Sequence, residues 1–260
     1  MENRQRLVVR ISNNSLSFST IVDGEAVFEA YPLNASISMA ANLREALRNG
    51  KVNTKSDKLL VLIDSPVLMM PVDLFREEEK EEYYWHTFTR QEQHNVMHFV
   101  LPDLNSVTIF SVQKDLCTVL RDAFSDVQFI PAMAPVWRHL HKRSYTGQHQ
   151  KLYAYFHERR VEVFAFAQNR FKFCNSFAVN NPNDALYYML ATWKQLGMEP
   201  EHDELYLVGE LPEQEVLTEE AKKFIKRVFY INPSGEFNRA PVTQIEGMPY
   251  DLMVLFVRGN

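Results

Sequence analysis

The chain has 260 residues, 46% of them apolar, and a formal charge of −5. That length allows one large domain or two of ordinary size, with enough buried surface to need no disulfide or metal staple. The acidic balance gives no electrostatic footprint for nucleic acid, and no apolar run approaches the roughly 20 residues that span a bilayer.

The N-terminus, MENRQRLVV, is polar and then enters a strand, which is no pattern for a signal peptide. A cytoplasmic location without membrane insertion is therefore expected. Apolar residues alternate from Leu7 to Ser19, the mark of a half-buried strand or hairpin. Asp23-Gly24 predicts a two-residue turn of type I′, and the strand AVFEAYPL follows. SISMAANLREALRNG predicts a helix with Met39, Leu43 and Leu47 on one face and Gly50 past its end. KLLVLIDS reads as a strand buried on both faces. The prolines of PVLMMPVDLF predict an extended segment, and EEEKEEYYWHTF a helix whose acidic first turn suits its dipole.

Two strands are expected in MHFVLPDLNSVTIFSV, a helix in QKDLCTVLRDAF, a strand in DVQFIPA and a helix in MAPVWRHLHKRSY ending near Gly147. Then the opening pattern returns. KLYAYFHERRVEVFAFAQNRFKFCNSFAV predicts three alternating strands with turns at HERR and QNR. NPNDALYYMLATWKQLG predicts a helix capped by Asn181, with Pro182 at its first position and Gly197 past its end. A buried strand (DELYLVGEL), an amphipathic helix (LPEQEVLTEEAKKFIKRV), a short strand (VFYIN) and a final helix (PYDLMVLFVRG) closed by Gly259 complete the chain.

The order β-β-β-α-β thus occurs twice, near residues 7–64 and 151–211. Such a duplication decides more about fold than any single motif. It predicts an α/β protein of two ribonuclease-H-like units with mixed sheets. The expected boundaries are 1–147, with an inserted strand and helix region around 66–125, and 148–260.

At this point the whole chain resembles the actin-like ATPase fold, and distantly the type IV pilus assembly platform proteins and their secretion-system relatives. The stretch from LLVLIDSPVLMMPVDLFREEEKEEYYW to VQFIPAMAPVWRHLHKR carries their order of elements. More closely, the sequence resembles a Bacteroidetes family of unknown function described as having an actin-like ATPase fold. The resemblance implies a fold and no activity. An active member of the superfamily would hold ATP between its halves, with an Asp-x-Gly-type loop at each first hairpin. Glycine lets backbone N–H groups reach phosphate, and aspartate positions magnesium or its water. A Gly-Gly pair near the end of the second half would let adenosine lie against the backbone.

Each of these positions departs from that pattern. The first hairpin reads Ile11-Ser12-Asn13-Asn14-Ser15, and the second Phe156-His157-Glu158-Arg159-Arg160. The third site, Leu207-Val208-Gly209-Glu210, has one glycine of the implied two. Asn13 and Asn14 suit a tight turn and, with His157, Glu158 and Gly209, are the candidate residues of a residual cleft. The competing reading of both hairpins is a solvated tip.

Other constellations carry less. His139 and His141 at i and i+2 point to different helix faces, so a basic surface helix end is expected. His94 and His98 lack an HExxH arrangement, and no metal is expected. Asp64-Ser65 ends a buried strand, where ligands often sit in α/β folds. Cys117 and Cys174 are expected to be buried thiols rather than a framework. Tyr83, Tyr84 and Trp85 lie in a dense acidic run and are either core or an interface anchor for a partner.

The leading expectation is a non-catalytic scaffold that binds a protein partner and needs no cofactor. The alternative is a divergent ATP-binding protein or slow ATPase, with magnesium, in the inter-domain cleft. A third reading, a platform protein that helps assemble an envelope machine, rests on the pilus resemblance alone.

Overall fold

A computed structural model describes residues 7–49, 58–145, 149–167 and 170–257. Its first half runs β1 (Leu7–Ile11), β2 (Leu16–Val22), β3 (Glu25–Tyr31), α1 (Met39–Arg48) and β4 (Lys58–Ile63). Next come β5 (Val67–Pro71), α2 (Lys80–Thr87), β6 (His94–Leu101) and β7 (Ser106–Gln113), then α3 (Lys114–Ala123), β8 (Asp126–Pro131) and α4 (Ala134–Ser144). The second half runs β9 (Lys151–His157), β10 (Arg160–Ala167), β11 (Arg170–Ala178), α5 (Pro182–Gln195) and β12 (Glu204–Gly209). It continues with α6 (Gln214–Lys222), β13 (Arg227–Ile231), a short α7 (Pro233–Glu236) and α8 (Tyr250–Val257).

The main sheets have matching orders, β3-β2-β1-β4-β8 and β11-β10-β9-β12-β13. In each, the first strand pairs antiparallel with the second and parallel with the fourth. The repeat is longer than the sequence pattern suggested. It takes in a further helix and parallel strand per half, α3–β8 and α6–β13. It is obscured in the first half because β5, α2, β6 and β7 intervene. Their strands form a separate sheet, β5-β7-β6.

Alternation along the strands sorts residues into layers. Leu7, Val9 and Ile11 of β1 face an outer core with Leu43 of α1 and Leu116 of α3. Leu152, Ala154 and Phe156 of β9 do the same against Met189 of α5 and Leu217 of α6. The opposite faces meet in the middle. There Val8, Leu60, Tyr153, Tyr155 and Phe164 enclose Trp137 and Leu140 of α4 and Leu252 of α8. The two-residue period forbids a register slip, since one step would move every apolar side chain to the wrong layer.

Local chemistry sets the element ends. Asp23 and Gly24 both have positive φ, 51° and 86°, as the type I′ turn demands. Asn181 accepts from the Asp184 N–H at 3.0 Å and caps α5, and Gly197 follows that helix with φ +63°. The expected stops at Gly50, Gly147 and Gly259, and residues 168 and 169 of the QNR turn, lie outside the described residues. Among the described residues, no helix is long and apolar enough to cross a membrane.

Candidate functional site

The two expected loops meet at the mouth between the halves. The β1–β2 turn is held by its own serine: Ser12 Oγ accepts from the Asn14 and Ser15 N–H groups at 3.1 and 2.9 Å. The β9–β10 turn places Glu158 and Arg159 at φ 44° and 60° without a glycine. Non-glycine residues pay roughly 1–2 kcal/mol each for that left-handed geometry. It sends the Glu158 carboxylate across the cleft. There Ser15 Oγ donates to Glu158 Oε1 at 2.6 Å, and Arg10 Nη1 donates to the same oxygen at 2.8 Å.

Arg10 is the hub of this contact. It sits on the inward face of β1, only 3% exposed, and its Nε donates to Asp251 Oδ2 of α8 at 2.8 Å. Asp251 is 1% exposed. Burial disfavours the charged guanidinium, but Asp251, together with Tyr155 and Glu158, outweighs it and holds the group above its ordinary value. Burial pushes the Glu158 carboxyl up, whereas the Ser12 and Ser15 hydroxyls and Arg10 pull it further down, so it stays below the usual range. Neither Arg10 nor Asp251 carries a motif. The available signal was a charge in the apolar alternation of LVVRI.

Asn14, His157, Glu158 and Gly209 line one cavity of about 250 Å³, together with Arg10 and Ser15. Its other walls include Leu16, Phe28, Leu33 and Phe156. Asn13 is exposed at the turn and is not part of the lining. The cavity therefore brings together four of the five candidate residues.

Gly209 is explained by packing. Its φ is +88°, and a Cβ there would stand 2.3 Å from the Phe156 carbonyl oxygen and 2.8 Å from the Tyr155 ring. The glycine lets β12 end against β9, with the Glu210 N–H donating to Phe156 O at 3.0 Å. His157 is 5% exposed and stacks on Tyr155 at 4.9 Å. Its ring nitrogens lie 3.6 Å from Asp64 and 3.6 Å from Glu162, within ion-pair range and beyond hydrogen-bonding distance. Asp64 and Ser65, at the end of β4, line a second cavity of about 150 Å³ with Arg160 and Glu162.

The remaining constellations resolve into structure. His94 and His98 lie four residues apart on strand β6, roughly 13 Å along the chain at about 3.3 Å per residue, too far to share a metal. His94 Nδ1 pairs with Ser111 Oγ at 3.0 Å. No cluster able to hold a metal occurs among the described residues. The basic end of α4 is only in part the expected surface feature: Lys142 is exposed, but the two histidines are not. His141 is 1% exposed, between the rings of Tyr145 and Phe166, and His139 bonds Glu236 Oε1 at 2.8 Å. Glu236 also takes Arg143, so the α7 segment covers a helix end that reads as polar in sequence. Cys117 is buried as expected, and Cys174 is half-buried. Tyr84 is core: it is 1% exposed, packs with Val96 and Ile109, and donates to Pro66 O at 2.9 Å.

A model of the family described as "Protein of unknown function (DUF3822)" matches residues 1–228. A solved structure from Bacteroides thetaiotaomicron, a protein with actin-like ATPase fold and unknown function, is 27% identical with a TM-score of 0.83. That likeness covers 97% of this chain and 95% of the other. The PilM–PilN type IV pilus biogenesis complex is similar at 11% identity and a TM-score of 0.58, over 98% of each chain. At that identity the likeness is one of fold alone. No curated protein matches the sequence. The fold is the actin-like ATPase fold.

Proposed function

We propose, from the premise that the chain belongs to the DUF3822 family of proteins of unknown function, that it is a non-catalytic actin-like scaffold that acts by binding a protein partner. One observation carries the reading: the donors of the first hairpin are already taken from within. Ser12 serves its own turn, while Ser15 and Arg10 hold Glu158. A triphosphate entering here would have to displace the Glu158 carboxylate from Arg10 and Ser15 and pass Glu210 at the rim. Like charges oppose that exchange. The second hairpin presents bulky side chains where a glycine would admit phosphate.

The surface we assign to the partner is α2. Tyr84 anchors that helix inward. Beside it, Glu81, Glu82, His86 and Arg90 border a shallow hollow with the half-buried Trp85, which suits a polar segment of mixed charge with an apolar anchor. The PilM–PilN structure offers this fold within a protein complex, and that analogy adds support of a weaker kind.

The second reading, ATP binding in the inter-half cleft, is favoured by the cavity between the hairpins. A melting experiment with and without millimolar ATP and magnesium separates the two. Ligand at a hundred times its Kd would add about 2.7 kcal/mol, or roughly 5–11 °C for a chain of this size. The scaffold reading expects no shift. A magnesium-dependent rise would overturn it.

A further inference from the structure

His157 belongs to neither the Arg10–Glu158 contact nor the packing around Gly209, yet it is a buried imidazole facing carboxylates from both halves. Asp64 follows β4 of the first half; Glu162 is on β10 of the second. Each lies 3.6 Å from one of the two ring nitrogens. We propose that His157 is a proton-gated latch between the halves, bridging Asp64 and Glu162 as an imidazolium, releasing Asp64 and loosening the two halves beside the Glu158 contact when it loses its proton.

The surrounding charges favour the imidazolium. Asp64 faces the ring from the end of β4, Glu162 from β10 and Asp251 from α8; Arg160 of β10 stands beside Glu162, and Arg10 of β1 holds Asp251 and the Glu158 of the adjoining turn. Tyr155, on the same strand, covers one face. Two arginines thus stand against four carboxylates, and a charged His157 makes three cations. A neutral ring leaves two nearly buried carboxylates, Asp64 and Glu162, flanking it without their shared counter-ion. Arg160 Nη2 stays 3.6 Å from Glu162, and Asp64 keeps only the pull of Arg10 and Arg160.

The protonation balance agrees with this geometry. Burial disfavours the charged ring, but Glu162 and Asp64 outweigh it and hold the imidazole above its ordinary value. Burial also raises the Asp64 carboxyl, with His157 pulling it back. A protonated Asp64 would leave the bridge, so it is the upward displacement of His157 that favours the closed form at lower pH and loses it as pH rises through the raised imidazole value. The latch therefore opens on the alkaline side of the ordinary histidine range.

Spin labels on the outer helices report the opening. Arg44→Cys on α1 and Tyr187→Cys on α5 are both exposed positions, used with Cys117 and Cys174 replaced by alanine. Pulsed electron–electron distance measurements at pH 6 and pH 9 should differ in the parent, with a longer or broader distribution at pH 9. The midpoint should coincide with the His157 titration followed by NMR of its ring proton. His157→Gln should give the pH 9 distribution at both values. Should that variant not fold, Asp64→Asn serves: losing one flanking anion moves both midpoints to lower pH. Identical parent distributions at the two pH values, or a midpoint unmoved by Asp64→Asn, would overturn the latch.

Discussion

Replacing Gly209 by alanine separates a structural glycine from one kept for a nucleotide. The residue has φ +88°, and the added methyl would lie 2.3 Å from the Phe156 carbonyl oxygen, a backbone atom that cannot rotate away. The left-handed backbone costs an alanine roughly 1–2 kcal/mol. Relieving the overlap with Phe156 and the Tyr155 ring adds about 1–3 kcal/mol, typical of an overpacked core. Together these predict a loss of roughly 2–5 kcal/mol and a fall in Tm of roughly 4–20 °C for a chain of this length. Urea denaturation followed by circular dichroism measures it, with ligand-free protein throughout. Had glycine been retained to seat adenosine, the ligand-free stability would barely change. A loss below about 0.5 kcal/mol, the scatter of ordinary surface changes, would refute the packing argument.

Two further outcomes concern the clasp at the cleft mouth. Arg10→Met strands the buried Asp251 without its cation and should cost about 3–5 kcal/mol, whereas the double change Arg10→Met with Asp251→Leu should cost clearly less; equal losses in denaturant titrations would deny the pairing. Glu158→Gln should flatten the acid limb of the Tm profile. The carboxyl is depressed in the fold, so its contribution is present above the unfolded value of about 4.3 and fades as pH falls through the depressed one. Parallel acid limbs for the parent and Glu158→Gln would count against the contact.

The sequence was most readable where a local rule determines a local outcome. The Asp23-Gly24 turn and the Asn181 cap each depend on neighbours a few residues away, and the duplication was readable because the same run of local patterns recurs. The cleft was readable only as a set of positions. Asn14, His157, Glu158 and Gly209 do meet, because the fold brings the hairpins together. What fills the cleft was not readable, since Arg10 and Asp251 are 241 positions apart and no periodicity links a strand to a helix over that span. His139 and His141 misled for a related reason. A basic helix end reads as solvated until distant elements pack on it, here α7 through Glu236 on His139 and β10 through Phe166 on His141.

The Arg10–Asp251 pair also has a timetable. At roughly 5–20 residues per second of synthesis, the 241 positions between them amount to about 12–48 s between the arginine's appearance and its partner's. For the first 148 of those positions β1 holds a cation meant for the interior before Glu158 is made, and its more buried partner Asp251 follows later still. The nascent first half can build its outer core but cannot seal its inner face until α8 arrives, so completion of the inter-half layer waits for that helix.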